Sequence, residues 1–421
     1  MNTVRLIIFI ATYALISAPR VPLLRLTRPA VALVGAVAMI ALGGLPLKEA
    51  YGAVDLDVLV FLLGVMLLSA YLEIGGFFAW VAAWLARHLT SPRALLGAVV
   101  LASGVLSAFF MNDTICLVVT PVVLAAIRPL RFKPLPFLLG IALSANVGSA
   151  MTVTGNPQNM LIGVSSGLSY GRFLSALALP SLGGLAIVYG ALLVLCRSDL
   201  ARPVDGASDD AASTSDDGAG DGAPTIDWPL VTRGLVIFGG ALVAWLTGHS
   251  LPLVAIAAAA LLVVVALRDP GPALERVEWP LLLFFAALFV VTQGVRSLPL
   301  VRALDTYALA HVTGAPWRDA GVVSAAMTVL SNLVSNVPAV LLWRPIVPRM
   351  PSPDFVWLVM AMSSTFAGNL TLVGSMANLI VAERAQARGV TLGFWDYLRV
   401  GVPVTLLTLA WGIAALVVVH H

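Results

Sequence analysis

Residues 145–159 read ANVGSAMTVTGNPQN, and residues 364–378 read STFAGNLTLVGSMAN. Each lies inside a stretch apolar enough to cross a bilayer, and about 220 residues separate them. Gly, Asn, Thr and Pro are poor residues for the middle of a helix. Within a membrane, irregular backbone is tolerated only where it is buried in protein or lines a cavity. Two such interruptions at matching places of two halves are the sequence sign of a binding site built from broken helices.

The surrounding chain supports a membrane setting. Of 421 residues, 60% are hydrophobic and 11% charged, too little charge to cover a soluble protein of this length. Several apolar runs reach the ~18–20 residues that span hydrocarbon. The net charge of +3 reflects topology more than a partner. Arg20, Arg25 and Arg28 follow the first apolar run and mark a cytoplasmic loop. Alternating from there puts sixteen of the 24 Lys and Arg residues inside and eight outside. No basic patch suggests nucleic acid. Two cysteines, Cys116 and Cys196, argue against a disulfide framework or a zinc site.

Ten spans are expected, near 4–18, 30–47, 57–74, 135–166, 173–196, 230–247, 252–268, 279–297, 354–383 and 400–419. The segments 77–90 and 299–312 are amphipathic and read as helices lying along the membrane surface. The fold class is an all-α polytopic membrane protein of about ten transmembrane helices and two re-entrant hairpins, arranged as two inverted repeats with broken helices. Residues 1–53 supply N-terminal scaffold helices and 54–198 the first repeat. Residues 199–228, rich in Asp, Gly, Ala and Ser, form a disordered acidic cytoplasmic linker. Residues 229–276 supply the scaffold helices of the second half, and 277–421 the second repeat.

Three alignments carry the repeat. VDLDVLVFLLGVMLLS from Val54 matches VEWPLLLFFAALFVVT from Val277, and SAFFMNDTICLVVTP from Ser107 matches SNLVSNVPAVLLWRP from Ser331. ALSANVGSAMTVTGNPQNMLI from Ala142 matches AMSSTFAGNLTLVGSMANLI from Ala361. The offsets are 223, 224 and 219, which pair Asn112 with Asn336, Gly155 with Gly374 and Asn159 with Asn378. The first copy begins outside and the second inside, so the repeats are inverted.

The segments 94–127 and 319–347 are too long for one span and polar at their centres. Each reads as a re-entrant hairpin, turning at Asn112–Thr114 or Ser335–Val337 and meeting the broken helix of its own repeat. Helix N-termini at the breaks offer N–H groups to an anion, and C-termini offer carbonyl oxygens to a cation. Pro157 suits the first turn of a second half-helix, where its missing N–H costs nothing. The candidate substrate-binding residues are Asn112, Thr114, Thr154, Gly155, Asn156, Asn159, Ser335, Asn336, Asn369, Gly374, Ser375 and Asn378. Amides, hydroxyls and backbone suit a small polar solute or oxyanion with a weakly held alkali ion, and not a transition metal. Asp113 is the acidic residue placed at depth, where a carboxylate is functional by default. With Asn112 and Asn336 it forms the candidate site for a coupling ion, Na⁺ or H⁺. Its repeat mate is Val337, so the two tips are not chemically equivalent.

FFMNDTICLVVTPVV, SNLVSNVPAVLL, GNPQN and AGNLTLVGSMANLI together resemble the arsenite-pump and anion-permease, citrate-transporter-like branch of the ion transporter superfamily. The resemblance covers nearly the whole chain outside the linker. It implies a homodimer whose protomers pair a scaffold with a transport domain and move by an elevator mechanism. The symporters' Ser-Asn-Thr tips fall on Met111–Asn112–Asp113–Thr114 and on Ser335–Asn336–Val337, forms closer to the arsenite and anion permeases.

The expected function is secondary active transport of a small inorganic anion or oxyacid, driven by Na⁺ or H⁺, in a bacterial inner membrane. No cofactor is called for, and no Gly-rich Lys-Ser/Thr loop signals ATP binding. A partner ATPase energising arsenite efflux is one alternative. A sodium/proton antiporter is another, with Asp113 alone as carrier. An intramembrane enzyme lacks the nucleophile–base pair or metal ligands it would need.

Overall fold

The computed structural model describes residues 2–17, 26–89, 91–201 and 225–420. Arg20, Arg25 and positions 202–224 of the expected linker lie outside the described residues. Among those described, 21 α-helices and no strand occur.

Local sequence sets many of the helix starts. Proline stands in the first turn of Arg28–Ala41, Pro92–Phe109, Pro157–Ser166, Trp228–Leu246 and Trp279–Val295, where a missing N–H costs no bond. Asp55 accepts from the Val58 N–H at 3.2 Å and Asp227 from that of Leu230 at 3.2 Å, each capping a helix. The expected span 30–47 is shorter in the structure, Arg28–Ala41. Gly44 turns the chain at φ 64°, and a separate short helix, Leu47–Ala53, follows.

Among the described residues, five helices are each long and apolar enough to cross a membrane: Leu56–Ile74, Pro92–Phe109, Tyr170–Leu195, Trp228–Leu246 and Phe394–His420. Both expected hairpins are present as helix pairs, Pro92–Phe109 with Asn112–Ile127 and Pro316–Val334 with Asn336–Trp343. Their turns are tighter than expected. The first uses Phe110 and Met111, and the second Ser335 alone. Asn112, Asp113 and Thr114 therefore belong to the opening turn of a helix, as do Asn336 and Val337.

The expected spans 135–166 and 354–383 are broken. Leu135–Ser149 is followed by Pro157–Ser166, and Pro353–Ala367 by Met376–Gln386. Gly148 permits the first hairpin to lie against the first broken helix, because a Cβ there would overlap the backbone of Gly104.

The helices sort into two kinds of packing. Leu56–Ile74, the first scaffold helix, packs on Leu251–Val265 and Trp228–Leu246, which precede the second repeat. Its mate Trp279–Val295 packs on Arg28–Ala41 and Asn2–Ser17, which precede the first. The hairpins and broken helices pack with Tyr170–Leu195 and Phe394–His420, which pack on each other. The segments expected at the membrane surface form the helices Phe77–His88 and Pro299–His311.

Candidate functional site

The breaks are held open by one device used twice. The Asn159 amide donates to the carbonyls of Ser149 at 3.2 Å, Ala150 at 3.3 Å and Thr152 at 3.0 Å. The Asn378 amide donates to the carbonyls of Gly368 at 2.8 Å and Thr371 at 3.2 Å. Both side chains reach back ten and seven residues, at the aligned register. An interrupted helix leaves carbonyls without N–H partners, and a buried orphan is costly. One carboxamide at the start of each second half-helix satisfies them. Asn156 adds an N-cap, accepting from the Asn159 N–H at 2.8 Å, and its own amide donates to the Ser149 carbonyl at 3.2 Å.

The first hairpin docks on the first break through its backbone, where the Asn112 N–H donates to the Gly155 carbonyl at 3.1 Å. A side chain on Gly155 would collide with the carbonyls of Ser149 and Ser107. Thr152 donates to the Ala108 carbonyl and seals the same seam.

The two breaks are joined through Asn146, absent from the sequence-derived set. Its amide donates to the side-chain oxygens of Asn369 at 2.9 Å and Asn378 at 3.0 Å. Its oxygen accepts from Asn112 at 3.1 Å and Ser375 at 3.0 Å. Asn369 donates onward to the Leu143 carbonyl at 3.1 Å. The inverted mate of Asn146 is Thr365, and it crosses in the other direction. Its hydroxyl accepts from Asn156 and Gln158, each at 3.3 Å, and donates to the Ala361 carbonyl at 2.7 Å. Asn146 carries a readable signal, a carboxamide inside ALSANVGS in the quoted motif. Thr365 and Gln158 carry none, since neither type stands out in a polar break.

The remaining expected residues scatter. Thr154 turns toward the Tyr170 hydroxyl at 3.3 Å and away from the Asn146 cluster. Thr114 is half-buried in the first turn of Asn112–Ile127. Gly374 lies against the side chain of Asn332, which donates to the Ala367 carbonyl at 2.9 Å. Asn336 sits beside Gly368. Ser335 has φ 76° and ψ 158°, a region open in practice to glycine, so the second tip is strained. Asp113 is half-buried in the first turn of its helix, where the dipole favours a negative charge.

Three buried amide oxygens, on Asn112, Asn159 and Asn336, have no donor among the described residues. The buried polar residues described include no Lys, Arg or His. A cavity of about 880 Å³ lies elsewhere, between the start of Leu56–Ile74, the end of Trp279–Val295 and the exit of the second hairpin. Three acids, Glu49, Asp55 and Asp57, and two arginines, Arg296 and Arg344, line it. Arg344 pairs there with Asp55 and lies 5.5 Å over the Phe289 ring.

Residues 6–360 match the family model described as citrate transporter. The chain is 34% identical to a silicon efflux transporter, LSI3, of Oryza sativa subsp. japonica, covering 94% of this chain and 93% of that one. It is 29% identical to a 46 kDa membrane protein of Mycobacterium leprae, covering 97% of each. The crystal structure of the Alcanivorax borkumensis YdaH transporter superposes with a TM-score of 0.61 at 17% identity, covering 100% of this chain and 98% of that one, and so shares the fold. These matches agree with the resemblance read from the motifs, and the chain belongs to the citrate transporter family, a family of membrane transporters.

Proposed function

We propose that the chain is a secondary active transporter that carries a small oxyacid in its hydroxylated, weakly ionised form, coupled to Na⁺ or H⁺ by an elevator-type movement of hairpins and broken helices. The observation that carries this is the buried meeting of two breaks and a hairpin tip, furnished with amides and hydroxyls and without a cationic side chain. A multiply charged anion would lose its hydration there against helix dipoles and coupling ions alone. An undissociated acid needs only donors and acceptors, and Asn and Ser supply both. The cavity between scaffold and second hairpin, with more acids than arginines, does not concentrate anions either. Relatedness to a protein named as a silicon efflux transporter fits this class of solute.

The test is transport in proteoliposomes under imposed Na⁺ or H⁺ gradients, across silicate, arsenite, phosphate, sulfate and citrate. Accumulation of silicate or arsenite under one gradient supports the reading and names the coupling ion. Accumulation confined to sulfate, phosphate or citrate overturns the solute class. A second reading, sodium/proton exchange with no other solute, is favoured by Asp113 being the carboxylate at a tip. Cation exchange indifferent to every solute would select it.

A further inference from the structure

Amide side chains have two faces of opposite chemistry, and which face a site presents depends on what holds the other. In the cluster around Asn146 that choice is forced, step by step, from backbone carbonyls. A carbonyl only accepts, so the Leu143 carbonyl fixes the nitrogen of Asn369, and those of Gly368 and Thr371 fix the nitrogen of Asn378. The oxygens of Asn369 and Asn378 then both face Asn146, which must present its nitrogen to them. The Asn146 oxygen is left to accept, and it takes the Asn112 nitrogen at 3.1 Å. The Asn112 oxygen is thereby turned away, buried and without a donor among the described residues. A chain of four carboxamides thus transmits polarity from the second broken helix to the first hairpin tip.

We propose that Asn146 is the positioning residue that fixes the Asn112 amide with its oxygen presented to the coupling cation, using anchors from the opposite repeat. This rests on the transporter reading above and adds the residue that sets the polarity of the tip. Without Asn146 the Asn112 amide is free to turn over and present N–H groups, which repel a cation. The inverted tip supplies the contrast. Thr365 stands where Asn146 would be, and its hydroxyl proton is spent on the Ala361 carbonyl. Among the described residues the Asn336 oxygen, like that of Asn112, has no donor, but no acceptor is seen to hold the Asn336 amide nitrogen. Orientation by a relay is therefore a property of the first tip. It also ties that tip to the second break, so a change in one repeat reaches the ion ligand of the other.

The test titrates Na⁺ against choline at constant ionic strength. It reads the melting temperature of the full chain in detergent and, separately, solute uptake at saturating Na⁺. The parent protein is expected to be stabilised saturably by Na⁺. Asn146→Ala is expected to raise the Na⁺ midpoint about tenfold or more. Asn146→Asp still accepts from Asn112 and adds a negative charge beside it, so its Na⁺ midpoint is expected below that of the parent. If Asn146 only packs the two repeats together, both variants lower the melting temperature and leave the Na⁺ midpoint in place, which overturns the proposal. Should the alanine variant not fold, the aspartate variant decides, and a midpoint raised about tenfold overturns the proposal. A parent protein indifferent to Na⁺ overturns it together with sodium coupling, whereas solute uptake driven by H⁺ would leave the transporter reading standing.

Discussion

The two breaks and the two tips behave differently under the inverted repeat. At the breaks the symmetry is close. Asn159 and Asn378 reach the carbonyls ten and seven residues back, and each break carries a crossing residue from the other broken helix. At the tips it fails. The first turns through two residues with Met111 at φ −55°, then presents Asn112 and Asp113. The second turns on Ser335 at φ 76°, then presents Asn336, Val337 and Pro338. The physical demands explain the contrast. A break in a buried helix exposes carbonyls whatever passes through the protein, so both copies need the same clamp. A tip that meets the cargo, as proposed above, would answer instead to the chemistry carried.

The largest effect is expected from removing Asp113, which has no acidic counterpart at the second tip. Asp113→Asn is expected to reduce gradient-driven accumulation in proteoliposomes to the level of empty liposomes. Accumulation at the parent's rate would show that the carboxylate is incidental. Next come the clamps. Asn159→Leu and Asn378→Leu each strand two or more buried carbonyls, and each is expected to cost about 2–4 kcal/mol of stability, read as a lower melting temperature in detergent. The two are expected to lose similar amounts, since each loses three hydrogen bonds, Asn378 counting the one it accepts from Asn146. If one clamp proves dispensable, the breaks are not equivalent.

A smaller effect of opposite sign is expected at the second tip. Ser335→Gly relieves a backbone conformation unfavourable to a side chain and is expected to stabilise the protein by about 1 kcal/mol. Met111→Gly, at ordinary φ, is expected to destabilise instead, through the greater freedom of the unfolded chain. The smallest effect concerns Glu278, the inverted mate of Asp55. Burial, reinforced by Glu73, raises the Glu278 carboxyl above its usual range. The folded protein therefore binds this proton more tightly than the unfolded chain. The stability linked to this proton is fully present below the ordinary carboxylate value and is lost as pH rises through the raised one. Glu278→Gln is expected to flatten that part of the stability–pH profile, read by melting temperature from acid to neutral pH. Asp55, paired with Arg344, provides the control on the other side of the repeat.

Much of the candidate site is legible along the chain. The polar interruptions in apolar runs identify the breaks, Pro157 marks where a second half-helix begins, and the offsets pair Asn159 with Asn378. The turns fall one or two residues from where the sequence puts them, because a tip asparagine reads as a turn residue even when it opens a helix. Thr154 has the chemistry of a ligand and instead faces Tyr170, a direction that depends on the side-chain rotamer within the break. Asn146 is visible as a residue but not as a junction, since its partners lie 34, 223, 229 and 232 positions away.

The membrane setting, the inverted duplication, the family and the places where helices break are all legible in the amino-acid order. Each of these rests on composition or on patterns along the chain. Only the tertiary structure decided which amide faces which. A carboxamide is symmetric in shape and opposite in chemistry at its two ends, and its orientation is fixed by carbonyls that folding brings from the other repeat.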